Sequence, residues 1–192
     1  MKKVLLTVAL GFTMAFSCFA QPDVLPAASR FYDANFNMDF ESLAELTYPE
    51  VVKQSGGKEQ FIAKVDADYQ NTELRKRLQL SAPVFQIGNV KTIGDRKFCI
   101  IAFWNPTRYF YEVPLEADQM KKLVTHWKQT AGTKEVYAEP NRNSINVKRI
   151  SKLVAISDAT TNNQWKFFNF DDVEQTAIFN SLFSSEKVKL GL

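Results

Sequence analysis

Near Leu74 to Leu78 the spacing of apolar residues changes period, and that change divides the chain into a helical front and a sheet-forming remainder. Before it, Phe61, Ile62, Val65 and Tyr69 recur at helical spacing, which puts them on one side of a helix. After it, Leu78, Leu80 and Ala82 alternate with Gln79 and Ser81, and alternation sends successive side chains to opposite faces of a strand. Helices segregated from an antiparallel sheet define the expected class, α+β.

Three helices are expected in the front. Residues 24–35 align Leu25, Ala28, Phe31 and Tyr32, with Asp23 as the cap and Pro26 in the first turn. A second, short helix carries Phe40, Leu43, Ala44 and Leu46, capped by Asn37 or Asp39 and interrupted by Pro49. Ser55-Gly56-Gly57 then redirects the chain into a third helix over 58–71.

The remainder predicts about five or six strands. A long one over 78–87 has a bulge or an edge position at Pro83, and 98–104 is continuously apolar, as in a central strand covered on both faces. Asn105-Pro106-Thr107 reads as a turn into 108–113. Residues 117–130 return to helical spacing through Met120, Leu123, Val124 and Trp127, an inserted helix. Strands over 145–157 and 164–170 follow, and one terminal helix carries Val173, Ala177, Ile178, Leu182 and Phe183. With 45% hydrophobic residues and 16 Phe in 192 residues, one core can stabilise one domain over 21–192.

Residues 1–20 have the pattern of a secretory signal: Lys2-Lys3, a short apolar run, and a small-x-small site at Cys18 and Ala20. The expectation is an exported chain, periplasmic or extracellular, with no membrane span after processing. Lipidation at Cys18 is the alternative. Loss of Lys2 and Lys3 takes the formal charge from +3 to about +1, a poor match for nucleic acid. Only Cys99 then remains, which excludes an intrachain disulfide, and its apolar neighbours mark it as a core residue. His126 is the single histidine, so no two-histidine metal site exists; neither a metal nor a cofactor is expected.

The Phe31-Tyr-Asp-Ala34 segment, the Leu46-Thr-Tyr-Pro49 step, Gly56-Gly57-Lys58-Glu59 and the Trp165-Lys-Phe-Phe-Asn-Phe170 strand together resemble the NTF2-like superfamily, which includes ketosteroid-isomerase-like and SnoaL-like domains. The resemblance implies helices closing one face of a strongly curved sheet, an apolar pocket beneath it and frequent homodimers. It transfers no catalytic residue.

Five residues are candidates for a site. Tyr32 and Asp33 sit on the first helix and Asp66 on the third, where an acid aimed under the sheet would serve as a base. Trp104 and Tyr109 bracket the expected turn and offer ring surfaces to a ligand. The favoured reading is a non-catalytic binding or interaction module for a small apolar ligand or an envelope protein. The alternatives are a pocket enzyme of isomerase or hydrolase type using a buried carboxylate, and a structural or assembly protein of the cell envelope.

Overall fold

The computed structural model describes residues 24–192. The signal-like segment 1–20, Cys18 and the Asp23 cap lie outside the described residues.

Four helices come first: α1 (Val24–Phe36), α2 (Phe40–Leu46), α3 (Pro49–Gln54) and α4 (Lys58–Tyr69). The Asp39 carboxylate caps α2 by accepting from the Ser42 amide at 3.1 Å. Pro49 does more than interrupt that helix. It occupies the first turn of α3, where the missing amide hydrogen costs nothing. Gly56 and Gly57, at φ +95° and +105°, then aim the chain into α4 from a backbone region that side-chain-bearing residues avoid.

The sheet is antiparallel and has seven strands: β1 (Leu74–Leu78), β2 (Phe85–Ile87), β3 (Lys91–Ile93), β4 (Arg96–Tyr111), β5 (Val136–Glu139), β6 (Ser144–Ser157) and β7 (Lys166–Asn169). Its spine is the pairing of the 16-residue β4 with the 14-residue β6. On the far side of β4, the strands β1, β2 and β3 pair one after another along its length. On the far side of β6, β5 pairs at one end and β7 at the other. Between β4 and β5 lies α5 (Ala117–Thr130), with the bounds expected of the inserted helix.

Three local expectations are corrected. Residues 105–107 are not a turn but the middle of β4. Both backbone polar groups of Pro106 face β1, whose pairing ends at Leu78; the Gln79 amide still donates to the Pro106 carbonyl at 2.9 Å, and the absent N–H falls where that neighbour leaves the sheet. The long strand over 78–87 is instead the end of β1, a loop through Pro83, and β2. The single terminal helix is two, α6 (Val173–Leu182) and α7 (Ser184–Leu190), broken at Phe183.

Residue parity along β4 and β6 separates the sheet's two faces. The odd-numbered face carries Cys99, Ile101 and Phe103 beside Leu153 and Ala155, and α1 packs there through Phe31 against Phe167 (5.0 Å between rings) and Tyr32 against Phe103 (5.5 Å). The even-numbered face carries Phe98, Val154, Ile156 and Phe168. Phe183, at the α6–α7 break, lies edge-on to Phe98 at 5.5 Å, and Tyr48 stacks on Phe168 at 5.0 Å. This end of the sheet is therefore buried on both sides.

At the opposite end a helix covers the odd face. Tyr109, Val136, Ile145 and Val147 form a second, smaller cluster under α5, where Trp127 stacks on Tyr109 at 4.0 Å and donates its indole N–H to the Tyr111 hydroxyl at 3.1 Å. On the even face behind it Ser144 and Asn146 are still buried among strand side chains, and the face opens further along, at the Trp104–Ile150 pair, which is 39% and 58% exposed.

Candidate functional site

Between the two apolar clusters, on the odd face, the inward positions turn polar. Continuing the phase of Phe103 along β4 gives Asn105, and continuing that of Leu153 back along β6 gives Ser151 and then Arg149. Lys76 enters from β1, opposite Tyr109. Asp171 follows β7. These side chains, together with Tyr32, Asn35 and Tyr69 from the helices, line a cavity of about 40 Å³.

The hydrogen bonds there fix one another's direction. Asp171 accepts from the Arg149 guanidinium (Nη2 to Oδ2, 3.0 Å) and from the Ser151 hydroxyl. Ser151 has then spent its only hydrogen, so its oxygen must be an acceptor, and the Asn105 amide donates to it at 2.8 Å. That orients the Asn105 carbonyl oxygen the other way. It has no partner, although the residue is 8% exposed. The Arg149 Nε is likewise buried and unpaired. The Lys76 ammonium lies 4.4 Å from the centre of the Tyr69 ring and makes no hydrogen bond or ion pair among the described residues.

Burial dominates the electrostatics of this region. It lowers the pKa of Lys76 below the ordinary lysine value; the Arg149 charge adds to that, and Asp68, Asp171 and Asp172 oppose it. Burial also pushes Tyr32 up to about 12, helped by Asp33, and Tyr109 up to about 12. Tyr69 is raised by the same cause. These phenols stay protonated at physiological pH; Tyr32 donates to the Leu80 carbonyl at 2.6 Å and Tyr69 to Asn35 Oδ1 at 3.2 Å.

Of the five residues singled out from the sequence, Tyr32 lines this cavity and Tyr109 is buried beside it in the α5 cluster. Asp33 and Asp66 are exposed on the outer sides of α1 and α4. Asp33 lines a wider groove of about 670 Å³ outside α1 and α2, shared with Arg30, Asp39, Glu45 and Lys166. Trp104 faces the opposite side of the sheet from Tyr109 by strand parity. Cys99 is fully buried in the main core with its thiol donating to the Gly88 carbonyl at 3.2 Å, while His126 is exposed on α5, so the two form no dyad.

The cavity's own polar residues, Lys76, Asn105, Arg149, Ser151 and Asp171, escaped sequence reading. A signal existed in their phase: Asn105 and Ser151 interrupt runs of inward apolar positions in their strands. Recognising it requires the β4–β6 register, which pairs residues about 50 apart in the chain.

No protein-family model, curated protein or solved structure matches the chain. Among the described residues there is no cluster of three or more metal-ligating side chains and no helix long and apolar enough to cross a membrane.

Proposed function

We propose that this chain is an exported, NTF2-like binding module that holds a small polar ligand in the cavity between its two cores and performs no chemistry on it. The observation that carries the reading is the pair of buried, unpaired polar atoms at that cavity, Arg149 Nε and Asn105 Oδ1, beside the partly buried Lys76 ammonium over the Tyr69 ring. Leaving such groups unpaired costs about 1–3 kcal/mol each, and a bound ligand would recover that cost. The wider groove over α1 offers more space, but its acids are already solvated. A catalytic role has less support, because Asp33 and Asp66 are exposed and Asp171 is engaged by Arg149 and Ser151. The open sheet face with Trp104 and Ile150 would serve as the contact for an envelope protein or a second copy of the chain.

The test is a chemical-shift titration of the mature protein with small polar and small apolar compounds. Polar compounds should shift Lys76, Asn105 and Tyr69 and raise the melting temperature. Shifts confined to the apolar set, or to the groove beside Asp33, would sink the reading. Mass spectrometry of the secreted protein should find an N-terminus at Gln21.

A further inference from the structure

Resting on that reading, we infer that the cavity ligand is a short 2-hydroxycarboxylate, of the size of glycolate or lactate, its carboxylate held between Lys76 and Arg149 and its hydroxyl donating to Asn105.

Three constraints converge. The first is charge. Lys76 and Arg149 are the two cations of the cavity lining and Asp171 its one carboxylate, while Asp68 and Asp172 act on Lys76 from outside the cavity, so the lining accommodates a monoanion at most. A dianion such as sulfate would exceed what the two lining cations can balance beside Asp171.

The second is the count of unused donors and acceptors. Arg149 spends Nη2 on Asp171 and keeps Nε, and Lys76 keeps its ammonium hydrogens. These demand an acceptor with more than one oxygen, which a carboxylate supplies through charge-assisted bonds. Asn105 makes the opposite demand. Its Oδ1 is pinned as an acceptor by the Asp171–Ser151–Asn105 chain and requires a hydrogen from the ligand. A plain carboxylate has no hydrogen to give at neutral pH, whereas a hydroxyl on the neighbouring carbon does.

The third is space. At about 40 Å³ the cavity is small, which favours a ligand of few heavy atoms. An acid of two or three carbons suits that space better than a sugar acid or an aromatic acid. Asn35, Lys76 and Leu78 are only partly buried, which places the opening beside β1.

Calorimetry on the mature chain should show saturable glycolate binding, with glycolate at least tenfold tighter than acetate or the neutral glycolamide. Lys76→Met should weaken glycolate at least tenfold while remaining folded, since it removes a charge that burial disfavours. Asn105→Leu should abolish the preference over acetate with little change in acetate affinity. Absence of glycolate saturation by about 50 mM, where any useful site would be filled, overturns the inference. So does glycolate binding that survives Lys76→Met, or equal affinity for acetate. Glycolamide shifting the cavity resonances while glycolate does not would leave the cavity as a binding site and remove the anion. Silence from every probe removes both.

Discussion

Phe98 and Tyr109 lie on the same strand and are both buried, yet the two ends of β4 are buried in different ways. Around Phe98 the sheet is sandwiched, with α1 over one face and Phe183, Phe179 and Tyr48 over the other. Around Tyr109 one face is covered by a helix, α5, and the reverse side is built from the strands' own polar residues, Arg108, Asn146 and Ser144, before opening at Ile150. The composition of the strand follows the covering. Phe98 to Phe103 is apolar without interruption, whereas Thr107 and Tyr109 alternate with Pro106 and Arg108. One strand thus changes from a two-sided to a one-sided pattern, and the polar cavity sits where the two coverings meet.

If the sandwiched end holds the fold, Phe168→Ala should cost about 4 kcal/mol, read as a loss of denaturation midpoint across the whole molecule. A loss below about 1 kcal/mol would mean that double covering is not what stabilises this end. Trp127→Ala should cost less, about 2 kcal/mol, and hydrogen exchange should show the damage confined to α5 and β5 with β7 still protected. Uniform loss of protection would make the two ends one cooperative unit.

At the junction, Lys76→Met should stabilise the ligand-free protein by about 1 kcal/mol, the gain expected when a functional but poorly accommodated charge is removed. Its pH dependence has a definite sign. Because the folded pKa of Lys76 lies below the unfolded one, the unfolded chain holds more protons in the interval between them. Wild-type stability therefore rises with pH across that interval up to the ordinary lysine value, and the advantage of Lys76→Met should shrink there. Melting curves at stepped alkaline pH check this; an advantage that grows would refute the assignment. On the open face, Ile150→Ser should change stability by no more than about 0.5 kcal/mol, although Val154, on the same side of the same strand, is fully buried.

Much of this contrast is legible in the residues. The continuous apolar run at 98–104 announced a strand covered twice, and the inserted helix was bounded correctly because Met120, Leu123, Val124 and Trp127 keep one side of it apolar. Pro106 misled because proline ordinarily marks a turn; what makes it tolerable is the endpoint of β1, a fact about another segment. Strand β1 itself, Leu-Arg-Lys-Arg-Leu, looks like a solvated stretch until pairing with Tyr109 turns its lysine inward. The cavity was hidden for the same reason. Asn105, Ser151 and Asp171 come from two strands and a turn, and no local spacing joins them.

The division of the outer pairing into short pieces has one further effect, on self-association. An arriving chain can template a new strand only along an unbroken row of free amides and carbonyls. One border of this sheet offers five residues in β1 and three each in β2 and β3. The other offers four in β5 and four in β7. Pro83 lies in the first break, and Arg75 and Arg77 add charge to the longest piece. The long β4 and β6, whose unpaired edges would seed amyloid-like stacking, are flanked on their outer sides by these short strands, β6 lacking a strand partner there over 148–152, so concentrated protein should resist fibril formation for as long as those short segments stay docked.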